Sequence, residues 1–268
     1  MRLPSIALSL VALLLVAIVS GAAGAQVPTE PVDTVVAADT VAEEVSAVDF
    51  DGAMAFDDAT PAVSLDSLRS LYPGLPAAVA FAALPDSVMP LLPQSVRLDM
   101  LDYAKEGQHK VLTNALRGNS WLDSLGTNLV QVRLTGVSNV QVGVYHGGKG
   151  IVAMNYTITP QDAAADSQLL FYTDAMQPLP VGKVFRVPGS EDLLNVPKGA
   201  KVKTKEIAAA IPFPTVRYIL DPAADTITAI PTVQAAMTLE DFDTIKPYLR
   251  PAITYRWNGK RFEKEKDS

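Results

Sequence analysis

Residues 128–158 read NLVQVRLTGVSNVQVGVYHGGKGIVAMNYTI, and this stretch decides the fold class. Val130, Val132 and Leu134 alternate with Gln131 and Arg133. Val140, Val142 and Val144 alternate with Gln141 and Gly143, and Val152, Met154, Tyr156 and Ile158 keep the same period. A period of two collects each apolar set on one side of a pleated strand, so three half-buried strands are predicted. Ser138-Asn139 and Gly147-Gly148-Lys149-Gly150 supply the turns between them, because glycine and asparagine tolerate positive φ. Loops this short join antiparallel neighbours; a parallel return needs a crossover of about a dozen residues.

Downstream, Gln168–Thr173 reads as a fourth strand, followed by a proline-punctuated irregular segment over 174–214 that is expected on the surface. Strands resume at Val216–Leu220 and Thr226–Val233 around the turn Asp221-Pro222-Ala223-Ala224-Asp225. Thr238 with Asp241 three residues on has capping-box spacing, which predicts one later helix with Leu239, Phe242 and Ile245 on one side and Pro247 limiting it. The last strand, Ala252–Asn258, sets Ile253, Tyr255 and Trp257 on one face, and Asn258-Gly259 turns the chain toward Arg261 and Phe262. Alternating aromatics of this kind are read as packing residues rather than as the lining of a cavity. The two β regions echo each other in pattern, which shared antiparallel geometry explains without duplication.

Upstream the period is helical. Leu65, Leu68 and Leu71 recur behind a Ser64 cap, and Pro73-Gly74 ends that helix. An alanine-rich connection follows, and then a second helix over Gln94–Lys105. There Val96, Met100, Leu101 and Ala104 share one side while Arg97, Asp99 and Lys105 face water, and Gly107 is the stop. The fold class is therefore α+β: a small N-terminal helical layer packed on a mainly antiparallel β-sheet, with one later helix.

The first 25 residues point to where the chain works. Arg2 precedes an apolar run from Ile6 to Val19, and Ala23-Gly24-Ala25 is the small-x-small pattern a signal peptidase accepts, so residues 1–25 read as a signal peptide. The expected mature chain starts at Gln26, is exported to the periplasm or the exterior, and has no membrane span after cleavage. Residues 26–63 read as an acidic, disordered leader and 64–268 as a single α+β domain. Between Gln26 and Leu68 there are ten acidic residues and no lysine or arginine, whereas Arg69–Ser268 carries 21 basic against 19 acidic residues. That near-neutral remainder lacks the broad basic footprint nucleic acid requires. The absence of cysteine removes disulfides, thiol nucleophiles, cysteine-ligated zinc and a lipidated cysteine anchor.

Catalytic motifs are sought and not found. His109 and His146 are far apart and outside any His-Glu-x-x-His frame, and there is no Gly-x-Ser-x-Gly, Ser-x-x-Lys, P-loop or dinucleotide fingerprint. Asp49, Asp51, Asp57 and Asp58 fall in the leader, where they cannot be preorganised as a carboxylate pair, and Asp49-Phe50-Asp51-Gly52 lacks the spacing of a calcium loop. No catalytic, cofactor-binding or metal-ligating residue is assigned, and no cofactor is expected. The candidate interaction residues are His146 at a hairpin tip and Lys201, Lys203 and Lys205. On an extended backbone these lysines share one face, either to hold an anion or simply to keep an edge soluble. The expected function is a noncatalytic interaction module for an envelope protein or a glycan. The alternatives are a secreted hydrolase whose site assembles from distant residues, with His146 the candidate, and a carrier with an apolar cavity between sheet and helices.

One short pattern recurs: aspartate, then serine or threonine, then an aliphatic residue, at Asp33-Thr34, Asp39-Thr40, Asp66-Ser67, Asp86-Ser87, Asp123-Ser124, Asp225-Thr226 and Asp243-Thr244. It resembles the O-glycosylation acceptor of exported proteins in Bacteroides-type bacteria, which makes Thr34, Thr40, Ser67, Ser87, Ser124, Thr226 and Thr244 candidate acceptors. The competing reading is that these residue types favour caps and turns. Leu84-Pro85-Asp86-Ser87-Val88-Met89-Pro90-Leu91-Leu92 and Arg97–Tyr103 come first among a set of islands. Asp166-Ser167 before Leu170-Phe171-Tyr172, and Leu249-Arg250-Pro251 before Tyr255–Phe262, follow. Together they resemble an uncharacterised family, a domain of unknown function, of small exported proteins from Bacteroides-type bacteria over about residues 80–262. The long acidic leader is outside that pattern. The resemblance implies export and brings no catalytic residues with it.

Overall fold

The computed structural model describes residues 62–266. The signal segment, the leader before Ala62, and Thr34 and Thr40 lie outside the described residues. The first sheet has seven antiparallel strands in chain order: β1 (Val111–Thr113), β2 (Asn119–Leu125), β3 (Leu129–Thr135), β4 (Ser138–Tyr145), β5 (Ile151–Ile158), β6 (Asp166–Tyr172) and β7 (Pro178–Leu179). The second has four antiparallel strands, β8 (Val216–Asp221), β9 (Thr226–Pro231), β10 (Ile253–Trp257) and β11 (Phe262–Lys264), with β8 and β11 at its edges. Among the described residues, three helices precede the sheets: α1 (Leu65–Leu71), α2 (Pro76–Ala83) and α3 (Gln94–Lys105). Helices α2 and α3 pack on β2–β4 while β8 packs on β4–β6, giving three layers with the large sheet in the middle.

That sandwiching changes the burial that simple alternation predicts. Every residue of β5 is buried, and β4 is buried at six of its eight positions, because the side opposite the helices is covered by the second sheet. Val130, Val132, Val140, Val142 and Met154 form one face, and Tyr145, Ala153, Asn155 and Phe171 belong to the other. Gly143 admits the neighbouring sheet: a Cβ there would stand 2.9 Å from the Pro222 side chain.

Helix α1 begins as expected, with the Ser64 hydroxyl accepting from the Ser67 N–H. Helix α2 arises in the alanine-rich stretch read as a connection. Six of its eight residues are buried and it has no polar face, so no 3.6-residue period announces it. Arg97 is the sharpest correction. It does not face water but is fully buried, because the carbonyls it serves belong to a buried helix end. Its Nη1 donates to the Leu92 carbonyl (2.6 Å), and its Nη2 donates to the carbonyls of Ala82 (3.2 Å) and Leu84. Those last two are carbonyls at the C-terminal end of α2 that no further turn of helix can satisfy. Asp86 completes the arrangement, with Oδ1 3.0 Å from Arg97 Nη1 and accepting from the Gln94 N–H. Burial pulls the Arg97 pKa below its ordinary value, and Asp86 pulls it back up.

The segment 174–214 does not lie wholly on the surface. It contains two short helices, α4 (Val181–Val184) and α5 (Thr204–Ala208), and a 3₁₀ turn over Ser190–Leu193, and it sends Val184, Phe185, Leu193, Leu194, Ile207 and Ile211 into the core beside the second sheet. Phe185 sits 4.7 Å from Tyr255 and Tyr145 sits 4.9 Å from Phe262, ring centre to ring centre. The predicted later helix, α6 (Leu239–Ile245), is capped by Thr238, whose hydroxyl accepts from the Asp241 N–H. Phe242 and Ile245 point inward, but Leu239 is 76% exposed. Ile253, Tyr255 and Trp257 share the inner face of β10 as their alternation requires.

The edge of the second sheet meets the face of the first through side chains. The outward N–H groups of Val216, Tyr218 and Leu220 on β8 donate to Asp166 Oδ1 (3.3 Å), Ser167 Oγ (3.1 Å) and Gln141 Oε1 (3.2 Å). Asn155 Nδ2 donates to the Tyr218 carbonyl (2.8 Å) and to Gln141 Oε1 (3.0 Å). The chain of amides continues outward, Gln141 Nε2 to Gln131 Oε1 and Gln131 Nε2 to Ser124 Oγ. The polar members of the alternating strands are therefore a ladder inside the protein.

Candidate functional site

Where α1 and α2 reach the turn between β4 and β5, they leave a solvent-open cleft of about 420 Å³. The helices give Leu65, Arg69, Pro76, Val79 and Ala80, the ends of the strands give Val144, Ile151 and Val152, the turn gives residues 146–150, and the loop after β6 gives Asp174 and Met176. The lining is mostly aliphatic, and Arg69, His146 and Lys149 bring basic groups to it.

The turn is held in place by the second sheet. Gly147, Gly148 and Gly150 all have positive φ, and Gly148 lies against the backbone of Gly259 at the β10–β11 tip, so that a Cβ at 148 would stand 2.1 Å from the Gly259 carbonyl oxygen. Trp257 Nε1 also donates to the Gly147 carbonyl (3.4 Å). Two glycine turns that read separately as hairpin tips are thus one contact, which only side-chain-free backbone permits.

His146 is exposed, and its Nε2 lies 2.9 Å from Asn128 Oδ1, so its described partner is an amide. Arg69 pairs with Asp66 (3.1 Å) and donates to the Asp174 carbonyl (3.2 Å). Met176 is held at φ 58, in a turn closed by its N–H donating to the Thr173 carbonyl (2.9 Å). That conformation ordinarily falls to glycine or asparagine. His146 and the glycines are legible in the sequence, whereas Leu65, Arg69 and Met176 are not, because their contribution depends on contacts between distant segments.

The other candidates are scattered. Lys201, Lys203 and Lys205 are exposed, but they do not share one face of an extended strand: Lys203 caps α5 and Lys205 lies within it, because Glu206 accepts from the Lys203 N–H (3.3 Å) and closes a helical turn. Ser67, Ser87 and Thr244 are exposed, Ser124 is half-buried, and Thr226 is 7% exposed inside β9. The aspartates of that pattern have local duties: Asp86 anchors Arg97, Asp123 accepts from Trp121 Nε1 (2.8 Å), and Asp225 takes φ 57 in the β8–β9 turn. Among the described residues, no group of three or more His, Cys, Asp or Glu is placed to hold a metal ion, and no helix is long and apolar enough to cross a membrane.

Helices, a large antiparallel sheet and a smaller one, with an open cleft at their margin, define an α+β protein. The chain belongs to the family described as protein of unknown function (DUF3256), whose model matches residues 76–262. A solved structure, described as a domain of an uncharacterized protein from Porphyromonas gingivalis W83, is similar with a TM-score of 0.60 at 21% identity, covering 71% of this chain and 98% of that one. That likeness concerns the fold. No curated protein matches the chain.

Proposed function

We propose that this is a noncatalytic interaction module, exported to the periplasm or the exterior, that presents its cleft to another protein or to a glycan. The observation that carries this reading is the cleft itself: a concave, mainly aliphatic surface, with its hairpin wall pinned by the second sheet and basic groups at its margin. Export rests on the apolar run Ile6–Val19 followed by Ala23-Gly24-Ala25. Peptide and glycan arrays probed with the chain and with a His146→Glu/Lys149→Glu variant test the binding role; both positions are exposed, so the fold should survive. The expected result is binding of at least one class by the parent chain and its loss in the variant. Turnover of an ester, peptide or glycoside that His146→Ala abolishes would replace the module with a hydrolase. Fractionation of the native host should find the chain outside the cytoplasm, starting at Gln26; a cytoplasmic chain retaining residues 1–25 overturns export. Intact mass of that material tests glycosylation, with Ser67, Ser87 and Thr244 as the exposed acceptors, and an unmodified mass rejects it.

A further inference from the structure

We infer that the occupant of the cleft is an acidic peptide segment, with a carboxylate against Arg69 and Lys149 and a neighbouring apolar side chain between Leu65, Val79 and Met176. This deepens the interaction-module reading and rests on it.

Three observations select that chemistry. The charge at the margin favours an anion. Lys149 is exposed with no ion pair among the described residues, and Arg69 is paired only with Asp66, whose side chain is 92% exposed. Such a surface pair is worth little and exchanges readily for a ligand carboxylate. Asp174 is the acidic residue of the lining, so Arg69 and Lys149 together leave the lining with more positive than negative charge.

The interior of the cleft favours an aliphatic side chain. Leu65, Val79, Ala80 and Val144 offer few hydrogen-bonding groups, and seating sugar hydroxyls there would strip them of water without replacement. An opening of about 420 Å³ that stays open to solvent cannot enclose a lipid tail as carrier sites do, whereas a peptide needs to bury only one or two side chains.

Met176 is the third observation. Its backbone takes a conformation that costs a non-glycine residue about 1 kcal/mol or more, yet the position carries a long, polarizable side chain that lines the cleft. Methionine adapts to varied apolar partners, which suits a peptide-binding wall.

Calorimetry on the full chain with a capped hexapeptide of alternating leucine and aspartate, against the same peptide with asparagine for aspartate, tests the inference. The aspartate peptide should bind about tenfold more tightly, and raising salt to about 1 M, where the Debye length is about 3 Å, should erase most of the difference. Lys149→Glu and Arg69→Gln should each weaken it by about tenfold. Met176→Gly, which suits the backbone at φ 58, should weaken both peptides alike. In a Trp121→Phe background the emission of Trp257, bonded to the Gly147 carbonyl of the cleft turn, should shift on binding. Equal affinity for the two peptides, or binding indifferent to Lys149→Glu and Arg69→Gln, overturns the inference. Glycan binding without peptide binding also overturns it but leaves the interaction module standing, whereas peptide cleavage removes both.

Discussion

The two faces of the seven-stranded sheet solve the same problem by different means. Each is covered, so each must satisfy polar backbone groups that water cannot reach. On the helix side a single charged side chain takes a concentrated share of this: Arg97 gathers three carbonyls and Asp86 around the end of α2. On the other side several short polar side chains share the task, as Gln141, Asn155, Ser167 and the Asp166 carboxyl meet the outward edge of β8. A single guanidinium suits a cluster of converging carbonyls, whereas an edge strand, with donors spaced every second residue, needs acceptors spread over several strands.

Alkaline titration should break both sides and has the largest expected effect. Burial raises Tyr72, Tyr145 and Tyr218 well above the ordinary tyrosine value and pushes Tyr156, Tyr172 and Tyr255 up to about 12. A phenol that ionises later folded than unfolded contributes its stabilisation in full below the unfolded value, about 10, and loses it as pH rises toward the folded value. Each such group weakens the fold as pH climbs past about 10, and the six act in the same direction. Tyrosinate absorbance and circular dichroism should therefore change together in one transition above pH about 10; two separated transitions would mean that the layers hold independently.

Arg97→Met comes next. It takes the guanidinium from the Leu84 and Leu92 carbonyls and from Asp86, leaving Ala82 with Gln94 Nε2 alone, and should cost about 3–5 kcal/mol in urea unfolding, with Arg97→Lys recovering only part. A loss below about 1 kcal/mol would mean that water reaches the end of α2. Gln141→Leu leaves the Leu220 N–H without its acceptor and Asn155 Nδ2 with the Tyr218 carbonyl alone; it should cost about 1–3 kcal/mol, and a double-mutant cycle with Asn155→Leu should show coupling. Additive losses would show the ladder to be a row of independent bonds.

The smallest effect is expected at Asp166. Burial raises its carboxyl above the ordinary value, against the pull of the Ser167 and Val216 N–H groups. A raised carboxyl binds its proton more tightly in the fold, so its contribution falls as pH rises through the folded value. Asp166→Asn keeps an acceptor for Val216 and removes that dependence. Its melting temperature should match the parent in acid and exceed it slightly at neutral pH, and the reverse order would rule out the desolvation account.

Much of this architecture can be read from the residues. Gln94–Lys105, β3–β5 and the inner face of β10 follow from periodicity, because one side of each contrasts with the other. The same rule hides what lacks contrast: α2 is apolar all round, and Arg97, Gln141 and Asn155 look like solvent-facing residues because a polar side chain does not say whether its partner is water or backbone. The prolines of 174–214 mark irregular backbone correctly but say nothing of Phe185 or Leu193, whose burial depends on the second sheet. At the cleft the turn and His146 are legible locally; that α1 and Met176 join them is not, since residues about thirty to eighty positions apart in sequence carry no local mark of their meeting.

The occupied outer edge of β8 bears on how such a chain fares at high concentration. A bare strand at the margin of a sheet is a template on which another molecule can add its own, the first step toward fibrils. Here the donors of Val216, Tyr218 and Leu220 are already bonded within the same chain, so stacking at that margin would first have to break native bonds. The first sheet ends at β7 in a strand of two residues, one of them Pro178, which gives an incoming chain almost nothing to register against.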